Sequence, residues 1–521
     1  MQTDRDDAPL VLILGLGETG VAAARWRARE GARLRVADTR AEPGGLAELR
    51  SALESGGHDV EYRLGCGSAF DAALLDGVSQ LVLSPGLVPG EEPTRSLLAA
   101  ARERGVEIVG EIELFARALA MLAQTREYRP RLLAVTGTNG KTTVTSLTRH
   151  LIQASGLSVR AAGNISPAAL TALMAALDGD DLPQVWVIEL SSFQLETTRS
   201  LAADAAVVLN VTQDHLDWHG GMQAYAQAKA RLLGMARVAI VNRADPLTAA
   251  MVPALQGLAV RSFGSDLPEL VGDMGLDLGQ GVAWLASCEA NDFDEPVAAP
   301  TRRKKDAPEP VRAAGRLNRL MPMDALRIRG LHNAMNALAA LQLARVLNAP
   351  AEPPQGRNRP LGWGPMLRAL RDYAGEPHRA AFVRNVGGVD YINDSKGTNV
   401  GATVAALEGL GQPVVLIAGG LGKGQDFSPL LAPVSRHARA VVLIGEDAPV
   451  IGQALAASGV SCVSADSMHD AVRRAAELAQ PGDAVLLSPA CASFDMFRGY
   501  PHRGQVFAAE VEELALDRGE V

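Results

Sequence analysis

The chain has 521 residues, of which 47% are hydrophobic and 21% charged, and its formal net charge is −9. This length predicts about three domains with separate cores, the acidic charge argues against a protein that binds nucleic acid, and no apolar run reaches the roughly 20 residues of a membrane span. The polar start lacks the basic and apolar regions of a signal peptide, and the four cysteines are widely spaced, so we expect a cytoplasmic protein that does not associate with membranes.

Short Val/Ile/Leu runs alternate with Ala-rich helical stretches along the chain, which predicts an α/β fold of mostly parallel sheets with flanking helices. We expect a Rossmann-like N-terminal domain over residues 1–112, a P-loop-type central domain over 113–375 and a Rossmann-like C-terminal domain over 376–521. The stretch 296–319 is rich in Pro, Ala and charge and predicts a mobile surface insertion. The Pro-rich stretch 350–360 predicts a hinge into the last domain.

A glycine-rich turn, Gly15-Leu16-Gly17-Glu18-Thr19-Gly20, follows the first predicted strand, and Asp38-Thr39-Arg40 follows the second. This order is typical of a dinucleotide-binding fingerprint, in which glycines let the backbone approach a diphosphate. NAD and a uridine diphosphate present the same group, and a tight turn without a ligand uses the same glycines, so the motif alone leaves these alternatives open. Ser84-Pro85-Gly86 ends a later strand and is expected at the same sheet edge.

The most informative motif is the turn Gly137-Thr138-Asn139-Gly140, which follows an apolar strand and leads into Lys141-Thr142-Thr143 at the start of a helix. Backbone N–H groups at such a turn bind phosphate oxygens, the lysine adds a positive charge, and a threonine hydroxyl can reach Mg²⁺. The ordinary P-loop has a further glycine where Val135 lies, so this is a shorter variant. The motif predicts an ATP-using enzyme.

Two further strand ends carry side chains that suit a nucleotide site. Glu189 ends the strand that begins near Val185, and His215 closes the segment Asn210-Val211-Thr212-Gln213-Asp214-His215 after the next strand. Because ligands bind at the carboxyl edge of parallel sheets, we expect both side chains near the phosphate turn, as Mg²⁺ ligands.

Several motifs resemble those of the Mur ligase family. In the central block these are Gly137-Thr138-Asn139-Gly140-Lys141-Thr142, Gly163-Asn164-Ile165, Glu189-Leu190-Ser191-Ser192-Phe193-Gln194-Leu195-Glu196 and Asn210-Val211-Thr212-Gln213-Asp214-His215. Later motifs resemble the branch of the family that adds D-glutamate: His332-Asn333, Pro377-His378-Arg379, Asn393-Asp394-Ser395-Lys396-Gly397-Thr398-Asn399, Gly419-Gly420-Leu421-Gly422-Lys423 and Ser488-Pro489-Ala490-Cys491-Ala492-Ser493-Phe494-Asp495. The Asp-Asn-Pro-Arg tetrapeptide of diaminopimelate-adding relatives is absent from the sequence.

This resemblance implies a ligase that adds D-glutamate to UDP-N-acetylmuramoyl-L-alanine through an acyl phosphate, with release of ADP and phosphate, in peptidoglycan precursor synthesis. It implies ATP and two Mg²⁺ ions. The implied ATP-binding residues are Gly137, Thr138, Asn139, Gly140, Lys141, Thr142, Thr143, Asn336, Arg379 and Asp394. The implied catalytic residues are Lys141, Glu189, His215, Lys229 and Lys396, with Lys396 as a charge near the transferred phosphate.

Lys229 matches the position of the family's carbamylated lysine. A carbamate would replace a cation with an anion beside Mg²⁺. The resemblance therefore implies a metal set of Thr142, Glu189, His215 and Lys229. The alternative is an unmodified, solvated lysine on an Ala-rich helix.

The resemblance also implies two sets of substrate contacts. Those for the UDP-linked substrate are Glu18, Thr19, Asp38, Thr39, Arg40, Ser84, Gly86 and Asn164. A carboxylate repels a diphosphate, so we expect Glu18 to bind through its backbone N–H while its side chain points to solvent. Those for D-glutamate are Thr398, Lys423, Ser493, Phe494 and Tyr500, of which Lys423 and Ser493 supply a charge and a hydroxyl. Phe494 and Tyr500 differ from the aliphatic and phenyl side chains that the family pattern implies.

Three other functions would explain part of the sequence. A folate polyglutamylating ligase would share the phosphate turn but not the N-terminal nucleotide domain. An NAD-dependent oxidoreductase would leave the phosphate turn and Glu189 without a use, and a nucleotide-binding scaffold without catalysis would leave the metal ligands unexplained. We expect a monomer whose third domain closes to assemble the substrates and exclude water.

Overall fold

Three β-sheets, each flanked by helices, follow one another along the chain in the computed structural model. The structure describes residues 8–54, 57–58, 60–255, 257–279, 281–290, 312–349, 361–422 and 424–520. Among these residues, no helix combines the length and apolar character that crossing a membrane requires. The predicted fold class, three α/β blocks on mostly parallel sheets, is confirmed.

The first sheet has five parallel strands in the order β3-β2-β1-β4-β5. The strands are Leu10–Leu14 (β1), Arg33–Asp38 (β2), Val60–Leu64 (β3), Val78–Leu83 (β4) and Glu107–Val109 (β5), and the helices are Glu18–Arg29 (α1), Leu46–Glu54 (α2), Arg95–Glu103 (α3) and Glu111–Thr125 (α4). β1 is covered on both faces, which explains its continuous apolar run. The glycine-rich turn follows β1 where the strand order reverses, the place at which doubly wound sheets bind nucleotides.

The second sheet has nine strands in the order β14-β13-β12-β11-β10-β9-β6-β8-β7, and β12 to β14 form an antiparallel extension. The strands are Arg131–Thr136 (β6), Val159–Gly163 (β7), Val185–Glu189 (β8), Ala203–Val208 (β9), Ala236–Asn242 (β10), Ala259–Phe263 (β11), Met274–Gly279 (β12), Val282–Glu289 (β13) and Arg316–Pro322 (β14). The helices are Lys141–Ala154 (α5), Ala169–Asp178 (α6), Ser192–Glu196 (α7), Leu216–His219 (α8), Met222–Gly234 (α9), Pro246–Ala249 (α10), Leu331–Val346 (α11) and Trp363–Asp372 (α12). β6, β8 and β9 lie side by side, so the segments that follow them share one carboxyl edge.

The third sheet has six strands in the order β15-β16-β20-β17-β18-β19, with only β15 antiparallel to its neighbour. The strands are Ala381–Val386 (β15), Val389–Asn393 (β16), Val414–Gly419 (β17), Ala438–Ile444 (β18), Ser461–Ser464 (β19) and Ala484–Leu487 (β20). The helices are Val400–Gly409 (α13), Leu431–His437 (α14), Ala448–Ala454 (α15), Met468–Leu478 (α16) and Tyr500–Asp517 (α17).

The buried clusters show how the sheets are joined. One continuous apolar cluster contains side chains of β1, α1, α4 and α6 as well as Trp186 of β8, so the first and second sheets share a core. The two apolar clusters of the third sheet contain only residues of that block. The third block is therefore built to keep its own core intact if it moves relative to the other two.

The structure differs from some of the expectations about how the chain is organised. Residues 316–319, assigned above to a mobile surface insertion, form the start of β14, and that part of the prediction is wrong. β14 is the edge strand of its sheet, and an edge strand tolerates polar residues because one side faces solvent. Residues 296–311 and 350–360 lie outside the described residues. The expected junction after residue 112 lies inside α4, whose first turn contacts both blocks.

Candidate active site

The turn between β6 and α5 presents backbone N–H groups at the carboxyl edge of the second sheet. Gly140 has φ of +83°, and a Cβ there would lie 2.4 Å from the Asn336 side-chain oxygen, so this position requires glycine. Lys141 Nζ donates to the carbonyl oxygens of Gly137 at 2.9 Å and Thr138 at 2.7 Å. Burial lowers the pKa of Lys141. The ammonium group thus lies against the turn where a phosphate chain would bind.

Glu189, the last residue of β8, has a carboxylate oxygen that no described group binds. Its side chain is buried, Oε1 accepts a hydrogen bond of 2.8 Å from Asn164 Nδ2, and Oε2 is buried without a hydrogen-bond partner among the described residues. A buried carboxylate oxygen without a partner is costly, and such oxygens are preferred ligands of Mg²⁺. The Thr142 hydroxyl adds another oxygen donor at the first turn of α5. The donor set therefore fits a hard divalent cation.

His215 begins α8 with a positive φ of 54°. Its Nε2 lies 3.6 Å from Asp214 Oδ2, and its ring packs edge-on against Phe193 with centroids 4.8 Å apart. Asp214 also accepts a hydrogen bond of 3.2 Å from Asn399 Nδ2. Asp214 was within the predicted motif but was not selected as a site residue, although it has a carboxylate at this edge.

Lys229 is buried beneath the phosphate turn, so the interpretation of a solvated surface lysine is wrong. Its side chain is 1% exposed, Nζ donates to the Gly137 carbonyl at 2.9 Å and lies 4.4 Å from the Tyr225 ring centroid. No described carboxylate lies within ion-pair distance of Nζ. Burial, assisted by the charge of Lys141, holds the pKa of Lys229 well below its usual range. The lowered pKa favours the neutral amine of Lys229 over its charged form.

Lys396, in the loop after β16, reaches the phosphate turn from the third block. Its Nζ donates to Thr142 Oγ1 at 3.0 Å, and burial together with the charges of Arg379 and Lys141 lowers its pKa to about 8. Arg379 Nε is buried without a hydrogen-bond partner. The clustering of these cations at one turn is unfavourable unless an anion binds among them.

Asp394 organises the loop that carries these cations. Its carboxylate accepts hydrogen bonds from the Ala380 N–H at 3.1 Å and from the Ser488 hydroxyl at 2.8 Å, and burial raises its pKa to about 6. Ala380 follows Arg379 directly, so Asp394 fixes the backbone that presents Arg379. Asn336 lies against Gly140 on the other side of the turn and donates to Asn333 Oδ1 at 3.2 Å.

Asn399 makes the second polar contact between the second and third blocks. It exchanges side-chain hydrogen bonds with Asn139, of 3.0 Å in one direction and 3.3 Å in the other, and its carboxamide oxygen also caps α13 through the Ala402 N–H. Asn399 lies within a quoted motif but was not predicted as a site residue, and its N-cap role alone would explain an asparagine there.

The residues of the first block that are expected to hold the UDP group lie together at the edge of the first sheet, but several are engaged within the turn itself, and Asn164 lies in the second block beside Glu189. Asp38 accepts hydrogen bonds from the Leu16 N–H at 2.7 Å and from Arg40 at 2.8–2.9 Å. Burial opposes its ionisation, but these donors hold the pKa of Asp38 below its usual range. Ser84 Oγ donates to the Gly15 carbonyl at 2.8 Å. Thr19 and Thr39 are half-buried at this edge, and Gly86 is exposed.

The Glu18 side chain is exposed, as predicted, but it does not point freely into solvent. Its Oε2 accepts from the Ser166 hydroxyl at 2.7 Å, and its Oε1 accepts from the Ala168 N–H at 3.0 Å, both in the second block. The reason is that α6 begins there, and the first N–H groups of a helix attract a carboxylate.

The described residues expected to bind D-glutamate share no hydrogen bond with one another. Tyr500 lies beneath Lys396, with Nζ 5.1 Å from its ring centroid, whereas Ser493 is buried and Phe494 is 70% exposed. Thr398 is half-buried in the loop that leads to Asn399. Lys423 lies outside the described residues. No hydrogen bond among the described atoms joins Ser493 or Phe494 to Thr398 or Tyr500.

Arg503 was missed by sequence analysis. It is fully buried in α17 and donates to Ser395 Oγ at 3.1 Å and to the carbonyl oxygens of Ser395 at 2.9 Å and Cys491 at 3.0 Å. It thereby ties the Lys396 loop to the segment before Ser493. No sequence signal distinguishes such an arginine from the exposed arginines elsewhere in the chain.

Three family descriptions match successive parts of the chain. They are the Mur ligase MurD-like N-terminal domain over residues 9–110, the Mur ligase middle domain over 135–270 and the Mur ligase glutamate ligase domain over 378–491.

Curated relatives match over the whole length. A protein of Bordetella avium named UDP-N-acetylmuramoylalanine--D-glutamate ligase is 77% identical over 519 residues, which cover 100% of this chain and 99% of the relative. A protein of Burkholderia cenocepacia with the same name is 56% identical over 517 residues, 98% of each chain. The solved structure of MurF from Acinetobacter baumannii aligns with a TM-score of 0.53 at 16% identity, covering 98% of this chain and 92% of that chain, which establishes a shared fold.

Proposed function

The chain belongs to the Mur ligase family, and we propose that it adds D-glutamate to UDP-N-acetylmuramoyl-L-alanine while splitting ATP to ADP and phosphate. The proposal takes the substrate pair from the names of relatives that align along the full chain. The reaction belongs to peptidoglycan precursor synthesis, and hence to cell shape and division. We propose that the protein works in the cytoplasm as a monomer.

The chemistry explains why cations from two blocks converge. A carboxylate is a poor electrophile, and transfer of the ATP γ-phosphate to it forms an acyl phosphate whose phosphate can leave when the D-glutamate amine attacks. Negative charge on the transferred phosphate and on the tetrahedral oxyanion needs fixed positive charge nearby. Lys141 supplies it from the phosphate turn, and Lys396 and Arg379 supply it from the third block.

The observation that carries the proposal is the contact between Lys396 and Thr142 across the two blocks, at 3.0 Å. A nucleotide-binding protein without catalysis has no need for a second domain to bring a cation to its phosphate turn. An NAD-dependent oxidoreductase would use the edge of the first sheet and would not need the contact between Lys396 and Thr142. Proximity supplied by domain closure is what a reaction of three substrates requires.

The oxygen donors at the turn support Mg²⁺. Glu189 and Thr142 would hold one ion, and His215 with Asp214 lies where a second would bind. When bound, Mg²⁺ neutralises phosphate charge and orients the γ-phosphate. The protein's own part is to hold the Glu189 carboxylate in place through Asn164 and to keep water out of the closed junction.

We propose that Lys229 is carbamylated. The neutral amine attacks CO₂, a N–C bond forms, and the proton lost from nitrogen passes to solvent, which leaves a carbamate anion on the side chain. The buried position of Nζ without a carboxylate partner and its lowered pKa support this step. The anion would lie near Lys141, whose charge it would balance.

The remaining substrate contacts are proposals as well. The turn after β1, with Thr19, Thr39 and Arg40, would hold the UDP group, and Asn164 would contact the arm that carries the acyl group. Ser493, Thr398 and Lys423 would meet the carboxylates of D-glutamate, and Tyr500 is placed to support Lys396 rather than the amino acid.

The deciding experiment measures phosphate release from ATP with UDP-N-acetylmuramoyl-L-alanine and, in parallel, D-glutamate, L-glutamate, meso-diaminopimelate, L-lysine or no amino acid. Release only with D-glutamate, together with a product heavier by one glutamyl residue, is expected. A parallel assay with a folate acceptor tests the polyglutamylating alternative. Absence of release with every amine would contradict the proposed acceptor or the ligase activity itself.

A further inference from the structure

The N-terminus of α6 is held by two carboxylates of the first block. Ala168, which precedes α6, provides no side-chain cap. Instead Glu18 Oε1 accepts from the Ala168 N–H at 3.0 Å, and Glu111 Oε1 accepts from the Leu170 N–H at 2.6 Å. The first N–H groups of a helix need acceptors and favour negative charge. Carboxylates from distant parts of the chain thus accept the hydrogen bonds that a Ser or Asp at the N-cap position usually accepts.

Glu18 uses both of its carboxylate oxygens on this segment. Oε2 accepts from the Ser166 hydroxyl at 2.7 Å, so the side chain spans residues 166–168. Glu18 is the first residue of α1 and lies within the glycine-rich turn of the first sheet. The same residue therefore lies beside the expected diphosphate site and binds the second block. The contact also explains how a carboxylate is tolerated there, because its charge is directed to N–H and O–H donors.

The segment that Glu18 contacts leads to the metal ligand Glu189. Asn164, just before Ser166, donates from Nδ2 to Glu189 Oε1 at 2.8 Å and from its backbone N–H to the Glu189 carbonyl at 2.8 Å. One end of this short segment is thus fixed to Glu189 and the other end to Glu18. α1 and α4 also pack against α6, so the contact lies beside a shared core, while the Glu18 side chain itself stays partly exposed.

We propose that Glu18 is a positioning residue that fixes the nucleotide-binding turn of the first block relative to Asn164 and Glu189 in the second. This inference rests on the proposed function, in which the UDP group binds to the first block and the acyl carboxylate must reach the phosphate turn. A long substrate held at one end reacts well only if the distance between its two sites is fixed. Glu18 contributes that constraint without touching the reacting atoms. Glu111, which binds the same helix N-terminus through Leu170, is buried, and burial raises its pKa to about 7.

The test compares Glu18→Ala with Glu18→Gln, which keeps an acceptor for Ala168, and with Glu48→Ala as a control. Glu48 is an exposed carboxylate of the same block, 3.5 Å from Arg25. For Glu18→Ala we expect kcat to fall about fivefold, the scale of one lost hydrogen-bonded contact at a partly exposed site. The Kd of UDP alone should stay unchanged, because its backbone donors remain. Glu18→Gln should recover most of the loss, and Ser166→Ala should show a smaller loss in the same direction.

Hydrogen exchange provides a readout that does not depend on turnover. The Ala168 amide should exchange faster in Glu18→Ala than in the parent or in Glu48→Ala, at unchanged melting temperature, whereas the Leu170 amide still donates to Glu111. Unchanged exchange in Glu18→Ala overturns the proposal whatever the kinetics. Equal weakening of UDP binding and of turnover also overturns it, because Glu18 would then be a nucleotide ligand. If the parent shows no ligase turnover, the proposed function fails, and exchange still reports on the contact itself.

Discussion

The Lys396 ammonium group of the third block lies 3.0 Å from the Thr142 hydroxyl of the phosphate turn, although 254 residues separate them in the chain. The two blocks have separate apolar cores, so this contact depends on their relative position and not on either fold. Whatever binds at the phosphate turn therefore meets a cation whose presence depends on domain closure.

Removal of the Lys396 charge should abolish most turnover while leaving the fold intact. We expect Lys396→Ala to lower kcat for phosphate release by about 100-fold, since loss of a preorganised charge at a developing anion typically has this effect. Lys396→Arg should retain part of the activity. Arg436→Ala, an exposed cation of the same block, provides the control. A change confined to KM for ATP would show that Lys396 binds nucleotide without assisting transfer.

Asn399 offers a test of closure that is separate from charge. Asn399→Ser keeps a cap for α13 but cannot reach Asn139, so we expect an unchanged melting temperature and a kcat lower by about tenfold. Asn399→Asp also keeps the cap but places a carboxylate beside Asp214, and should be more impaired. Equal activity of the parent and both variants, measured as phosphate release at saturating substrates, would exclude a role for this contact.

Lys229 should behave as a source of negative charge. We expect Lys229→Ala to lose most activity and to recover part of it in millimolar formate or acetate, because a small carboxylate can enter the space of the missing carbamate. Lys141→Ala provides the matched control: it should also be impaired, but added carboxylate cannot replace a cation. Rescue of both variants, or of neither, would contradict a carbamate at Lys229.

The fold followed from the sequence because its strands are apolar on both faces and its turns carry glycine, signals that are local. The same logic placed Glu189 and the phosphate turn at a common edge, since neighbouring parallel strands end together. The roles of Asp214, Asn399 and Arg503 were not predicted, because each depends on contacts between distant segments. The contacts of Glu18 were not predicted for the same reason: its partners, Ser166 and Ala168, lie in another block, and no local pattern reveals an acceptor for the N-terminus of α6.

Two carboxylates in the first turn of α4 should contribute to folding stability with opposite dependence on pH. Burial raises the pKa of Glu111 from 4.5 to about 7. Between pH 4.5 and pH 7 the folded state keeps a proton that the unfolded state has lost. The stabilisation that this protonation provides is complete below pH 4.5 and disappears as the pH rises through 7. Glu113 is buried as well, but hydrogen bonds from the Ser200 and Arg199 N–H groups hold its pKa below the usual value. Its contribution is present above the unfolded pKa and is lost as the pH falls.

Glu111→Gln should therefore melt at a higher temperature than the parent at pH 8 and at a similar temperature at pH 5. Glutamine keeps the acceptor for the Leu170 N–H and removes a buried charge, an effect on the order of 3 kcal/mol for a pKa that burial raises from 4.5 to about 7. Glu113→Gln is the control in the same helical turn, and it should melt below the parent at pH 8, with the difference shrinking toward pH 4. Because a chain of several domains does not unfold in one step, the comparison uses the transition of the first two blocks, followed by hydrogen exchange within α4 and α6. A Glu111→Gln variant that is less stable than the parent at pH 8 would show that the Glu111 carboxylate is ionised in the folded protein and bound by a donor.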